Sequence, residues 1–271
     1  MINILINKLK SLIRKNFTIY DLAVKFILAC KGHKFKILFY NTKRDLIYNI
    51  AILEKLGLKI NYNYINKHEN FRQKFHIKIF NTLKNNLKDE NIKILEIGTY
   101  DGSFAKYLSE VFINSKIYTI DLKKDDPRFI SSYKRNSDEY LKKFLNIRKK
   151  NLSQKNIEFI EMDSINLKDR FDENYFDIIW VDGDHRDPMA TKDIFNSYDL
   201  IKKDGYVVID DISQIRYAYE SNLLVGERAN LDYLNALVNL KKEKKVEFYL
   251  FNQMVRPENY FLRSNIGLFR K

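Results

Sequence analysis

Short apolar runs alternate with helical patterns along the chain from residue 92 onward. Five runs rich in β-branched and aromatic residues, as expected of strands buried on both faces, span residues 92–97, 116–122, 157–162, 176–181 and 206–209. Residues 103–112 and 189–201 lie between them and have apolar positions at helical spacing. This alternation predicts a parallel sheet with helices on both faces and right-handed crossovers.

The chain ends in two further apolar runs, residues 246–251 and 260–269, separated by a short loop that contains Pro257. So short a connection cannot hold the crossover that parallel strands need. The two runs are therefore expected to pair antiparallel, so that a mostly parallel sheet ends in an antiparallel strand.

Residues 1–90 have a different pattern, in which helical spacing dominates. Phe71, Phe75, Ile79 and Leu83 repeat every four residues, as an amphipathic helix requires. The chain is therefore divided into a basic, mainly helical N-terminal extension (1–90) and an α/β domain (91–271). The apolar stretch 17–30 is too short to span a bilayer. It is interpreted as a helix packed on the domain or, alternatively, an amphipathic helix lying on a membrane surface.

The positive charge of the chain is concentrated in this extension. Residues 1–90 contain 18 Lys and Arg against 6 Asp and Glu, whereas the whole chain has a net charge of +13. Such asymmetry favours an anionic surface or an acidic acceptor as a partner. The charged runs 148–150 and 241–245 are interpreted as solvated helix ends. Cys30 is the single cysteine, which excludes a disulfide framework and cysteine-based zinc or iron–sulfur sites and favours a reducing, cytoplasmic location.

The turn after the first predicted strand is suited to a nucleoside ligand. It contains Glu96, Gly98 and Gly102, with Tyr100 and Asp101 where a dinucleotide fingerprint would cradle a phosphate. An acidic turn repels a pyrophosphate and suits a nucleoside with a cationic sulfonium. The next two strands end near Asp121, placed for ribose hydroxyls, and at Asp163-Ser164, placed for an adenine amino group. A carboxylate at a strand end is also a common helix cap.

Carboxylates also follow the fourth and fifth predicted strands. Strand four runs into Asp182-Gly183-Asp184-His185, and strand five into Asp210-Asp211. Carboxylates that converge at one sheet edge repel each other unless a cation is present, and oxygen ligands favour Mg²⁺. A divalent ion activates a hydroxyl, and His185 is the candidate base for its proton. The plainer alternative is that these residues cap the following helix.

The motif order E-I-G-T-Y-D-G-S, I-D-L, M-D-S, W-V-D-G-D-H and V-I-D-D resembles that of the class I S-adenosylmethionine-dependent methyltransferases. The resemblance implies a Rossmann-like seven-stranded sheet, mostly parallel with an antiparallel last strand. It also implies S-adenosyl-L-methionine as cofactor, with twelve contact residues: Glu96, Gly98, Thr99, Tyr100, Gly102, Ser103, Asp121, Leu122, Asp163, Ser164, Asp182 and Asp184.

Within that class the chain is similar to metal-dependent O-methyltransferases that act on macrolide sugars or catechols. This similarity implies Mg²⁺ held by Asp182, Asp210 and Asp211, with His185 as the catalytic base. It makes a small-molecule or saccharide hydroxyl, one that could itself be anionic, the expected methyl acceptor. A second copy of the chain and the inner face of the membrane, reached through residues 1–90, are further candidate partners.

Two other functions remain as alternatives. One is N-methylation of another acceptor. Nucleic acid is disfavoured as that acceptor by the sequence after strand four. Amino methyltransferases of this fold that act on bases carry an [N/D]-P-P-[Y/F] turn after strand four, where this chain has Asp182-Gly183-Asp184-His185. The other is a non-catalytic adaptor that keeps the fold and binds a partner through residues 1–90.

Overall fold

The computed structural model describes most of the residues from position 42 to the end of the chain. The described ranges are 42–62, 75–87, 91–132, 135–212, 231–252 and 265–271. The stretch 17–30, Cys30 and the Pro257 loop, on which sequence predictions were made, lie outside them.

Helices and strands alternate through the described chain. The helices are α1 (Thr42–Lys55), α2 (Phe75–Asn86), α3 (Ser103–Val111), α4 (Pro127–Ser131), α5 (Asp138–Asn151), α6 (Leu167–Arg170), α7 (Met189–Leu200) and α8 (Leu231–Lys244). The strands are β1 (Lys93–Ile97), β2 (Lys116–Asp121), β3 (Ile157–Glu161), β4 (Phe176–Val181), β5 (Ile201–Ile212), β6 (Phe248–Asn252) and β7 (Asn265–Arg270).

The seven strands form one sheet in the order β3-β2-β1-β4-β5-β7-β6. Strands β1 to β5 are parallel, and the last strands are antiparallel, which confirms the predicted fold class. Because the chain moves outward from β1 in one direction and then restarts at β4 on its other side, the sheet reverses its order between these two strands. Ligands in open α/β sheets bind at such a reversal, beyond the carboxyl ends of the strands.

The register of the central strands aligns their carboxyl ends. Ile97 of β1 lies opposite Ile120 of β2 and Val181 of β4, and Val181 lies opposite Ile209 of β5. All four side chains are at most 2% exposed, as expected for parallel strands covered on both faces. The residues that follow these positions, among them Gly98, therefore emerge at one edge of the sheet.

The described residues fall into two compact units. The first contains α1 and α2 together with residues 250–252 and 265–266, and the second contains the remaining described residues from 87 to 249 and from 267 to 271. In the first unit the Asn49 side chain pairs with the backbone of Asn252 in both directions, at 2.7 Å each. The predicted division at residue 90 placed all of residues 250–266 with the α/β domain.

None of the helices in the described ranges combines the length and the apolar character that a membrane crossing requires.

Candidate functional site

The turn after β1 is packed directly against the end of β4. Gly98 has a φ of 100°, and a Cβ atom added to it would lie 2.1 Å from the carbonyl oxygen of Asp182. The backbone N–H groups of Gly98 and Thr99 both donate to the Ile120 carbonyl of β2, at 3.0 and 3.1 Å. Only glycine fits this position, because both the backbone conformation and the space exclude a side chain.

Glu96 places a buried carboxylate beneath this turn. It is 1% exposed, and its Oε2 accepts a hydrogen bond from the Thr119 hydroxyl, which also pairs with the Thr99 hydroxyl at 2.6 Å. Burial raises the pKa of Glu96 well above its usual range. Its Oε1 is buried and has no hydrogen-bond partner among the described residues. An orphaned buried acceptor of this kind fits a ligand that brings a donor or a positive charge.

The Asp121 carboxylate at the end of β2 is held by three donors. Its Oδ2 accepts from the backbone N–H of Tyr100 at 3.1 Å and from Nη1 of Arg148 at 3.3 Å. Its Oδ1 accepts from the backbone N–H of Leu122 at 2.8 Å. Asp121, the residue predicted to bind the ribose, therefore lies at the sheet edge. Tyr100 and Leu122, two further predicted contact residues, donate to its carboxylate through their backbone N–H groups.

Asp163, predicted to contact adenine, caps the short 3₁₀ helix Ser164–Asn166 in the structure. Its Oδ1 accepts from the backbone N–H of Ile165 at 3.1 Å, and its Oδ2 accepts from Arg128 at 2.8 Å. The Ser164 carbonyl accepts from the Asn196 side chain at 3.1 Å. Asp163 thus has the helix-capping role that was the alternative to an adenine contact. The adenine contact itself stays a prediction.

Asp182, His185 and Asp211 come together at the ends of β4 and β5. One ligand atom from each lies within 4.8 Å of the others, and Nε2 of His185 is 3.5 Å from Oδ1 of Asp182. Asp211 has a φ of 51°, an uncommon conformation for a residue with a side chain. These three residues form the candidate metal and base group of the site.

This group differs by one residue from the predicted ligand set. Among the described residues, Asp210 does not join it; Asp210 is fully buried, and its Oδ1 accepts from the backbone N–H of Asp211 at 2.9 Å. The two adjacent carboxylates therefore have different surroundings, and only that of Asp211 joins the group. His185, predicted only as a base, lies inside the group as a further candidate donor.

The environment of His185 has two opposing effects on its charge. Burial acts to lower the pKa of the imidazole, but the contact with Asp182 and the charges of Asp211 and Asp210 outweigh it and raise the pKa. The Nδ1 atom is buried without a hydrogen-bond partner among the described residues. A neutral imidazole that donates its Nε2 proton to Asp182 would have its lone pair on Nδ1.

The remaining predicted residues lie around these centres. Asp184 pairs with the Arg186 guanidinium through both carboxylate oxygens at 2.9 Å. Burial acts to raise the pKa of Asp184, but this pairing lowers it on balance. Gly102, with a φ of 75°, precedes α3, and the backbone N–H of Ser103 donates to Asp101 at 2.9 Å.

The interpretation of residues 148–150 as a solvated helix end is wrong for Arg148. Its side chain is 4% exposed and bound to Asp121, whereas Lys149 and Lys150 are exposed. A helix buries one face only, and the 3.6-residue period turns residue 148 inward beside two outward lysines. Three apolar residues on α5 mark that face, Leu141, Phe144 and Leu145, so the helical period could have identified Arg148 as inward-facing from the sequence.

Comparison with known proteins agrees with this architecture. A family model described as a methyltransferase domain matches residues 95–212. An uncharacterized protein of Acanthamoeba polyphaga mimivirus is 30% identical over 153 residues, which cover 53% of this chain and 62% of that protein. The match therefore spans less than two thirds of the relative.

Two solved structures are similar to this chain. A protein assigned as a caffeoyl-CoA O-methyltransferase of Staphylococcus aureus is 14% identical, with a TM-score of 0.50 over 92% of this chain and 99% of that one. A precorrin-6y C5,15-methyltransferase of Geobacter metallireducens is 15% identical, with a TM-score of 0.44 over 79% and 94%. The sheet has a Rossmann-like fold, and residues 95–212, less than half of the chain, are similar to a methyltransferase domain.

Proposed function

We propose that the chain transfers a methyl group from S-adenosylmethionine to a hydroxyl of a small molecule or saccharide, with the help of a divalent metal ion. The observation that carries this proposal is the meeting of Asp182, Asp211 and His185 beside the Gly98 turn. A base and two carboxylates next to a nucleoside-binding turn can prepare an oxygen nucleophile.

The turn after β1 suits a cationic cofactor. Glu96 offers a buried and unpaired Oε1, and no lysine or arginine of the described chain is hydrogen-bonded to it. At the end of the next strand, backbone N–H groups fix the Asp121 carboxylate in place. A carboxylate at this position can accept a hydrogen bond from a ribose hydroxyl. Together they support binding of a nucleoside with a positively charged substituent.

The donor set of the second centre fits a divalent ion. Asp182 and Asp211 would hold it through carboxylate oxygens, the ligands that Mg²⁺ prefers. A bound ion would fix the acceptor hydroxyl and lower its pKa. If His185 also served as a ligand, the mixed oxygen and nitrogen set would suit Mn²⁺ or a later transition metal better, and His185 could not accept a proton through the nitrogen so used.

We assign His185 the role of general base. Its Nε2 is held near Asp182, so its Nδ1 lone pair can take the proton from the acceptor hydroxyl. When bound, S-adenosylmethionine would supply the methyl group and would leave as a neutral thioether that keeps the electron pair of the broken carbon–sulfur bond. The proton gained at His185 would balance the positive charge lost from the sulfonium.

Calorimetry with S-adenosylhomocysteine and Mn²⁺ or Mg²⁺ tests the two centres separately. We expect the parent to bind both, and Asp211→Ala to lose metal affinity while it retains S-adenosylhomocysteine. Asp172→Ala, which removes an exposed carboxylate, is the matched control and should change neither. No binding of S-adenosylhomocysteine by the parent would contradict the proposal. Unchanged metal affinity in Asp211→Ala would contradict the metal assignment alone.

A further inference from the structure

Arg148 is a buried cation enclosed by aromatic rings. It extends from α5 with its side chain 4% exposed. Its guanidinium carbon lies 4.9 Å from the ring centres of both Phe129 and Phe159 and 5.5 Å from that of Phe144. Cation–π contacts on several sides restrict the rotamers of a long side chain and favour the charged guanidinium. Arg148 is therefore a fixed group of this part of the sheet edge.

The Arg148 guanidinium is hydrogen-bonded to Asp121, the carboxylate that the proposed function assigns to ribose binding. Nη1 of Arg148 donates to Oδ2 of Asp121 at 3.3 Å, the same oxygen that accepts from the Tyr100 backbone. The other oxygen accepts from the Leu122 backbone. A carboxylate has about four acceptor positions. With three of them used by the protein, one is left for a ligand.

We propose that Arg148 is a positioning residue for the cofactor, which holds the Asp121 carboxylate so that a single acceptor position remains for one ribose hydroxyl. This inference rests on the proposed function, because Asp121 is a ribose ligand only if the chain binds an adenosyl cofactor. The resulting contact is monodentate. A vicinal diol bound through both hydroxyls would need the Arg148 bond to break.

Arg148 also affects the charge of Asp121. Burial raises the pKa of Asp121, while the positive charges of Arg148 and Arg135 and the two backbone donors act to lower it. The acidic groups that share this electrostatic environment are Glu96, whose own pKa responds to Asp121, and Glu161, whose charge acts on Arg148. Loss of the Arg148 charge should therefore let a proton occupy Asp121 at a higher pH, and the acceptor needed by the hydroxyl would be lost.

Arg135 provides a matched control within the same aromatic cluster. Its guanidinium carbon lies 4.0 Å from the Phe129 ring centre and 4.4 Å from that of Phe144, and the residue is 4% exposed. It donates to the Phe129 carbonyl at 3.3 Å. Replacing Arg135 by Met disturbs the same packing and removes a second positive charge that acts on Asp121, but it leaves the bond between Arg148 and Asp121 in place.

The test measures the affinity of the full chain for S-adenosylhomocysteine at about pH 8 and at about pH 5.5, which is closer to the ordinary carboxyl range. We expect Arg148→Met to weaken binding about tenfold at the higher pH and further at the lower one. Arg135→Met should stay within about twofold of the parent at the higher pH. In an Asp121→Asn background, Arg148→Met should have no additional effect, because the residue acts through that carboxylate.

Arg148→Lys separates position from charge and continues the test if Arg148→Met does not fold. Its single ammonium keeps the charge but not the planar fork, so affinity should fall at both pH values without a new pH dependence. Parent-like affinity in Arg148→Lys and Arg148→Met, or an equal loss in the Asp121→Asn background, would overturn the inference and leave the proposed function intact. A parent that binds no S-adenosylhomocysteine would instead overturn the proposed function.

Discussion

Gly98 and Asp182 are in such close contact that the α-carbon of one and the carbonyl oxygen of the other leave no room for a methyl group between them. A Cβ atom at residue 98 would lie 2.1 Å from that oxygen. This contact joins the turn assigned to the cofactor to the loop that carries His185. Methyl transfer requires that the methyl carbon and the acceptor oxygen be held precisely in their reactive positions. A backbone contact shared by the two loops can maintain this geometry.

Gly98→Ala should therefore damage both centres. The added methyl group must displace the Asp182 backbone and adopt a φ of 100°, which should cost about 3 kcal/mol or more of the free energy of unfolding. Urea unfolding and S-adenosylhomocysteine binding measure the two effects. Gly57→Ala is the control, because Gly57 also has a positive φ, 73°, but nothing lies within 4 Å of its added Cβ. It should cost only about 1 kcal/mol and leave binding unchanged.

Asp193 makes the stability of the fold depend on pH. Burial raises its pKa to about 7, against the opposing effect of the Ser164 hydroxyl. Since the unfolded carboxyl titrates near pH 4, the folded state binds more protons between about pH 4 and 7, and the contribution to stability falls as the pH rises through that window. Asp193→Asn should therefore raise the melting temperature at about pH 8 relative to the parent, with a smaller difference at about pH 5.

The control for this measurement is Asp172→Asn, which changes an exposed carboxyl and should leave the two melting curves alike. An Asp193→Asn variant that is destabilised equally at both pH values would contradict the prediction, because the effect would then come from packing rather than from a buried charge.

His185 should impose a pH dependence on activity. A base must be unprotonated, so turnover should rise with pH through the pKa of His185, which Asp182 and Asp211 raise above its usual value. A divalent ion between these carboxylates opposes that effect, and the inflection should move to lower pH as the metal concentration increases. His185→Ala should lose on the order of 10²–10⁴ in turnover and the inflection with it. An inflection that persists in His185→Ala would assign it to another group.

The basic extension should make binding to anionic partners depend on salt. Residues 1–90 contain 18 basic and 6 acidic residues, so their affinity for anionic vesicles or an acidic glycan should fall steeply as ionic strength rises. Replacing Lys31, Lys34 and Lys36 by glutamine should reduce both the affinity and its salt dependence. The same change at Lys142, Lys143 and Lys150 of α5 removes equal charge from the α/β domain and is the control. Equal losses in both variants would contradict a specific role for the extension.

Much of the sheet could be predicted because parallel strands have a clear hydrophobic pattern. The first four strands lie within one residue of their predicted limits, and the Gly98 turn follows β1 as expected. The fifth strand is longer than predicted: β5 begins at Ile201, because the polar run Lys202-Lys203-Asp204 hides its first half from a search for apolar residues. Hydrophobicity detects burial, and this part of the strand is only partly buried.

The candidate site was predicted less completely, since its contacts join residues distant in sequence. Arg148 lies 27 residues from Asp121, and Arg128 lies 35 residues from the Asp163 that it binds. Neither pairing has a local spacing that the sequence could reveal. Asp211 joins the group and Asp210 does not, and two adjacent carboxylates in a sequence do not by themselves reveal which of them will do so.

Metal-assisted O-methylation is tested by transfer of a labelled methyl group from S-adenosylmethionine to a panel of phenolic and saccharide acceptors, with a divalent ion and then with excess EDTA. We expect transfer to an oxygen that stops in EDTA, returns with added Mg²⁺ or Mn²⁺, and falls on the order of 10²–10⁴ in His185→Ala. Full transfer in EDTA with His185→Ala as active as the parent would contradict it, and so would a methyl group found on nitrogen.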